Sequence, residues 1–171
     1  MKTISGRQPL AASDQESFFA PNGHLNYRYT MLWRHKGGHV RGHGDAICAF
    51  ESSLIVCRVF MEFLGLGVRY SVAGPVLTEK QDYYSPDGST TDEVKVVDLG
   101  GQFVKTSNLT GDERKVLATV YHMAHKSTAH LTFKAPFQTD ASIVHDCVPI
   151  IDRLLYEHLY DILGRKPHQW T

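Results

Sequence analysis

The most constraining feature of this sequence is an apolar stripe between residues 45 and 64. Its members recur at alternating spacings of three and four residues: Ile47, Phe50, Leu54, Cys57, Met61 and Leu64. This spacing places one apolar face along a helix of about five turns. Asp45 is a natural N-cap, and Gly65 with Gly67 favours an end to the helix. More apolar residues flank the stripe: Val56, Val59, Phe60 and Phe63. We therefore expect the central helix of a bundle, buried on much of its circumference.

Two more helices are predicted in the second half of the chain. Thr110 and Glu113 have the spacing of a capping box, in which each side chain binds the other residue's backbone amide. The last helix is expected to begin near Ser142 or Asp146 and to end at Gly164. Its apolar stripe consists of Val148, Ile151, Leu155, His158 or Leu159, and Ile162.

The segments between these helices are less regular. Residues 26–35 suit either a short helix or a strand. Residues 93–99 alternate partly between apolar and polar, so we expect a strand there that pairs with residues 102–104 as a hairpin. The predicted fold class is mainly α, a helical bundle of four or five helices with a long, partly β insert at about residues 68–109.

Domain organisation follows from length and from the polar start of the chain. The chain has 171 residues, which suits one domain with its own core. Residues 1–22 are polar and rich in small residues, and they predict a flexible or docking N-terminal arm. Residues 23–171 are then predicted to form a single helical-bundle domain.

Composition narrows the classes of function. The chain has 18 basic and 18 acidic residues, so its formal net charge is zero. Proteins dedicated to nucleic-acid binding usually have an excess of basic residues, which this chain lacks. A net charge near zero also means little electrostatic repulsion between copies of the chain, and this favours self-association. No stretch reaches the roughly 18 apolar residues of a membrane span, and the first residues contain no apolar signal core. We therefore expect a cytoplasmic protein with no membrane contact.

The three cysteines, Cys48, Cys57 and Cys147, are predicted to be buried free thiols. Cysteine packs like a small apolar residue, and all three lie in apolar surroundings. Their odd number and the lack of a Cys-x-x-Cys motif argue against a disulfide framework or a cysteine-based zinc site. We also find no phosphate-binding loop and no nucleophile motif of the Gly-x-Ser-x-Gly kind.

Three segments resemble parts of the HEPN-like helical proteins of bacteria. Residues 51–64 are similar to an "ARNLxxFF" helix of that group, although Val59 stands where its asparagine is expected. Residues 92–98 resemble an acidic, valine-containing segment, and residues 126–132 resemble a His-Leu-Thr type helix ending. Many members of the group have no assigned function. The resemblance implies a helical, non-enzymatic domain that acts in protein or RNA association. We also expect a homo-oligomer or a protein partner, because helices such as residues 45–64 are apolar over more than one face.

The same resemblance raises the alternative of a metal-independent RNA endonuclease. HEPN ribonucleases use an arginine that stabilises phosphate charge and a histidine, five to seven residues later, that moves a proton. Arg153 and His158 have this spacing on the last helix. The two positions lie about 140° apart on an α-helix. Two other pairs have a matching spacing, Arg34 with His39 and Arg28 with His35.

Histidines suggest a second alternative, a metal-binding helical bundle that uses His122, His125 and His130. Imidazole is a common ligand of divalent transition metals, and helices of a bundle can hold such a site. No carboxylate accompanies these histidines at the usual metal-site spacings. His130 also suits a purely structural role at a helix C-terminus. The leading expectation is therefore that no cofactor is bound.

A basic and aromatic segment early in the chain predicts a nucleic-acid interface. Its members are Arg28, Trp33, Arg34, Lys36 and Arg41. Aromatic rings stack on bases, and arginine and lysine contact phosphates. The competing explanation is an amphipathic segment that docks its aromatic residues on the core.

Overall fold

A computed structural model describes residues 10–34, 43–81, 93–125 and 142–168. The longer helices are α1 Ala12–Phe19, α2 His24–Trp33, α3 His43–Phe63, α4 Gly111–Met123 and α5 Ser142–Leu155. A π-helical turn, Tyr156–Tyr160, joins α5 to the short α6, Asp161–Leu163. Two 3-10 helices span Val96–Leu99 and Thr106–Asn108, and the strands are β1 Leu66–Ser71 and β2 Gly74–Glu79. The predicted mainly α fold with a partly β insert is confirmed.

Helix α3 lies at the centre and packs against α2, α4, α5 and β1. Four residues of its predicted stripe are completely buried: Leu54, Cys57, Met61 and Leu64. Ile47 and Phe50, which lie nearer the start of the helix, are only half-buried. The helix also begins at His43, so Asp45 lies in its first turn and the prediction of Asp45 as the N-cap is wrong. A carboxylate in this first turn still interacts favourably with the helix dipole.

Helices α4 and α5 form as predicted at their starts. The Thr110 hydroxyl accepts from the Glu113 amide at 3.2 Å, and the Glu113 carboxylate accepts from the Thr110 amide at 2.9 Å. Helix α5 begins at Ser142, and its predicted stripe is completely buried at Val148, Ile151, Leu155 and Leu159. Ile162 is 43% exposed, however. The π-helical turn before it adds residues to one turn and so rotates Ile162 off the buried face.

The β hairpin lies earlier in the chain than predicted. Strands β1 and β2 pair antiparallel, from Leu66 opposite Glu79 to Ser71 opposite Gly74. The predicted strand at residues 93–99 is wrong, because Val96–Leu99 is a 3-10 helix and residues 102–104 form no strand. The Asp98 carboxylate accepts from the Lys95 amide at 2.7 Å and so stabilises this turn.

The first described residues of the chain pack against the last described ones. The Arg165 guanidinium binds the Glu16 carboxylate and lies 4.4 Å from the centre of the Phe19 ring. The buried Asn26 side chain donates to the Phe19 carbonyl and accepts from the His168 amide, each at 2.8 Å. Helix α1 therefore packs as part of the domain, although it lies within the range predicted as an N-terminal arm.

The structure also tests the helix-or-strand alternative for residues 26–35 and the predicted burial of the three cysteines. The segment that suited either helix or strand is helical, as α2. Cys57 and Cys147 are buried free thiols as predicted, but Cys48 is exposed because it lies on the solvent side of the first turns of α3. Within the described ranges, no helix combines the length and the apolar character that crossing a bilayer requires.

Candidate functional site

An open pocket lies between α1, α2, the second half of α3 and residues 93–95. Its volume is about 320 Å³. Its walls are mostly apolar and are formed by Phe18, Leu25, Val59, Phe60, Phe63 and Val94. Its polar side chains are His24, Arg28, Glu62, Glu93 and Lys95. A concave, mostly apolar site with a few polar groups is the usual form of a small-ligand site.

Lys95 is a buried cation in the wall of this pocket. Its side chain is 1% exposed. The ammonium group donates to the Glu62 carbonyl oxygen at 3.1 Å and to the Glu93 carboxylate at 2.8 Å. The hydrogen bond from Lys95 holds the pKa of Glu93 below its usual value. A buried charge costs free energy unless it is paired, and these two acceptors supply the pairing.

Glu62 connects the pocket to α4. Its Oε1 accepts from Arg58 Nε at 3.0 Å and from the Tyr121 hydroxyl at 2.6 Å. Arg58 also lies 5.3 Å from the centre of the Tyr121 ring. Burial and the hydrogen bond to Glu62 raise the pKa of Tyr121, so its hydroxyl remains a neutral donor. The Glu62 carboxylate is therefore already balanced by its own cation.

Arg28 is the member of the predicted nucleic-acid interface that reaches the pocket. No carboxylate in the described ranges pairs with its guanidinium. Trp33 is half-buried against the core, and Arg34 is exposed. Arg28 and Arg34 are six residues apart, about 240° around α2, so they do not share one face. The other predicted members, Lys36 and Arg41, lie outside the described residues.

The predicted nuclease residues, Arg153 and His158, are each held by different partners. Arg153 donates to both Glu157 oxygens, at 2.8 and 3.0 Å, and to Glu113 Oε1 at 2.6 Å. These carboxylates raise the pKa of Arg153. His158 Nδ1 donates to the Gln102 carbonyl at 3.2 Å. No contact among the described residues joins Arg153 to His158, and the guanidinium that would bind phosphate is occupied by two carboxylates.

Two of the three predicted metal ligands, His122 and His125, lie beside one tyrosine. The centre of the Tyr70 ring is 5.3 Å from that of His122 and 6.4 Å from that of His125. Arg58 Nη1 lies 3.5 Å from His125 Nδ1, and a guanidinium at that position disfavours a bound cation. No group of three or more metal-ligating side chains occurs in the parts of the chain that the structure describes. His130 lies outside them.

Among the polar side chains of the pocket, Arg28 is the one that the sequence patterns predicted as a binding residue. The sequence has one further signal: Lys95 stands between Val94 and Val96, with Asp98 three residues later. A lysine flanked by apolar residues beside a local turn is a candidate for burial. Its acceptors come from another helix and from a neighbouring side chain, and no spacing rule shows those contacts.

Comparisons with known proteins identify no family for this chain. No protein-family model matches the chain, and neither the curated proteins nor the solved structures searched include a match. The functional assignment therefore depends on the described contacts and on the sequence patterns alone.

Proposed function

We propose that this chain is a non-enzymatic association domain that binds a second copy of itself through the β1–β2 hairpin. One observation carries the proposal. Three apolar side chains within seven residues of the hairpin are exposed: Tyr70 by 47%, Val72 by 110% and Val76 by 43%. Tyr70 pairs with Pro75 and Val76 pairs with Arg69, so Tyr70 and Val76 lie on opposite faces, and the three exposed side chains surround the tip of the hairpin. An exposed apolar tip that a second copy can enclose supports an interaction site there.

The charge of the chain supports a second copy as the partner. The formal net charge is zero, so two copies experience no net long-range repulsion. A specific interface takes about 800 Å² from each partner, which is more than three side chains supply. The hairpin therefore forms the apolar centre of the proposed interface, and polar neighbours such as Arg69 and Ser71 form its rim.

Replacement of Val76 by aspartate is expected to convert the dimer to a monomer, because the change buries a carboxylate in an apolar interface. Ile162→Asp is the matched control, since Ile162 is also 43% exposed but lies on α6. Light scattering after size-exclusion chromatography, over a range of concentrations, measures the mass. A monomeric parent chain, or a dimer that Val76→Asp leaves intact, would contradict the proposal.

We also propose that the chain is related to the HEPN-like helical proteins and that it has no catalytic activity. Because Arg153 is neutralised by Glu113 and Glu157, we expect the purified chain to leave mixed RNA intact, with or without a chelator. The His158→Ala variant should behave identically. Chelator-resistant cleavage that this variant loses would instead favour the endonuclease alternative.

A cytoplasmic location belongs to the same proposal. Cys57 and Cys147 are buried next to each other as free thiols, and burial with a hydrogen bond to Cys57 raises the pKa of Cys147. A pair of neighbouring cysteines without a disulfide is the arrangement expected of a protein in a reducing compartment.

A further inference from the structure

The lining of the pocket beside α3 contains two cations and two carboxylates, but both carboxylates pair with cations other than Arg28. Glu62 pairs with Arg58, and Glu93 pairs with Lys95. Arg28 also lines the pocket, and it has no carboxylate partner in the described ranges. A mostly apolar cavity with one unpaired cation favours a ligand of single negative charge, because a low-dielectric wall strengthens charge pairing.

Two cationic hydrogen-bond donors, the half-buried Arg28 and the buried Lys95, line the pocket in which such a ligand would bind. The Lys95 ammonium has three N–H groups, of which two are used, by Glu62 and Glu93. No side chain or carbonyl in the described part of the chain accepts from the third. Arg28 offers a planar set of N–H groups that matches a carboxylate in shape. A buried charged donor and a half-buried one therefore both line one cavity.

We propose that this pocket binds a small organic monocarboxylate with an aromatic or aliphatic body. The carboxylate pairs with Arg28, and the apolar body packs against the apolar wall that includes Phe60 and Phe63. The volume of about 320 Å³ is near the lower end of known ligand pockets, which favours a small ligand. A phosphate monoester fits less well, since among the described residues no second unpaired lysine or arginine lines the pocket to meet its second negative charge.

Ligand binding in the pocket is independent of self-association through the hairpin. The pocket is formed by α1, α2, α3 and residues 93–95, and none of the exposed hairpin residues lines it. Ligand binding and dimer formation can therefore fail separately. The hairpin variant Val76→Asp is expected to retain ligand affinity.

Isothermal titration of the full chain with 4-phenylbutyrate, phenylacetate and octanoate tests the proposal. We expect at least one of these carboxylates to bind, and its neutral amide to bind about tenfold more weakly or worse. Phenyl phosphate is expected to bind more weakly than the best carboxylate. Arg28→Gln should lower carboxylate affinity by about tenfold or more. Arg34→Gln is the matched control, because Arg34 lies on the same helix but does not line the pocket.

A second variant tests the pocket without changing its charge. Val59 is half-buried in the pocket wall, and Val59→Phe fills part of the volume. This variant should weaken binding of the carboxylate while its melting curve remains cooperative. Equal affinities for a carboxylate and its amide, an affinity that Arg28→Gln does not change, or the absence of binding by all three carboxylates at millimolar concentration would each overturn the proposal.

Discussion

Replacement of Gly101 by alanine is expected to destabilise the fold by about 3 kcal/mol. A β-carbon at this position would lie 2.4 Å from the His158 carbonyl oxygen and 2.6 Å from a methyl group of Val96. The backbone on both sides is fixed: the Gly101 amide donates to the Val96 carbonyl at 3.0 Å, and the Gln102 amide donates to the His158 carbonyl at 2.9 Å. The added methyl group therefore has to displace backbone atoms.

Gly111 provides the matched control for this substitution. It lies in the first turn of α4, and a β-carbon there meets no atom within 4 Å. Gly111→Ala is expected to leave the free energy of unfolding unchanged or to raise it by up to about 1 kcal/mol, because alanine loses less backbone entropy. Urea unfolding measures both variants. Equal stability of Gly101→Ala and the parent chain would show that the loop does not pack closely on the π-helical turn.

The Gly101 contact also gives His158 a structural role. The His158 carbonyl accepts a hydrogen bond from the Gln102 amide, and the His158 ring donates one to the Gln102 carbonyl. These two hydrogen bonds join the π-helical turn to the loop that follows Val96–Leu99. The spacing between Arg153 and His158 in the sequence gave no indication of this contact, because Gln102 is 56 residues away.

Local patterns predicted the parts of the fold that local forces decide. The stripe of α3 and the capping box of Thr110 and Glu113 each depend on residues within one or two turns, and the structure contains both. Exposure of Cys48 depends on what packs against the start of α3. The apolar periodicity of α3 continues past the point where the core ends, so it does not predict that exposure.

Features that depend on distant residues could not be predicted in this way. Residues 93–99 alternate like a strand, yet Val96 and Leu99 are both completely buried at the three-residue spacing of a 3-10 turn. The burial of Lys95 depends on a carbonyl oxygen from α3 that accepts a hydrogen bond from its ammonium group. The candidate pocket depends on that same contact between distant segments. Its charge balance therefore becomes evident only in the folded chain.

Two neighbouring tyrosines, Tyr29 and Tyr160, provide a test of hydrogen bonding in the core. Their ring centres lie 6.4 Å apart, edge to face. The Tyr29 hydroxyl donates to the Asp152 carboxylate at 2.5 Å. The Tyr160 hydroxyl is buried and has no hydrogen-bond partner among the described residues. Burial raises the pKa of both tyrosines, and for Tyr29 the Asp152 carboxylate raises it further.

Removal of the two hydroxyls is expected to change stability in opposite directions. Tyr29→Phe should lower the free energy of unfolding by about 2 kcal/mol, because it removes a hydrogen bond to a charged group. Tyr160→Phe should raise it by about 1 kcal/mol, since an unpaired buried hydroxyl is replaced by an apolar ring edge. Urea unfolding at neutral pH gives both values, and the double variant measures their coupling. A loss of stability in Tyr160→Phe equal to that in Tyr29→Phe would mean that the Tyr160 hydroxyl has a partner in the folded protein.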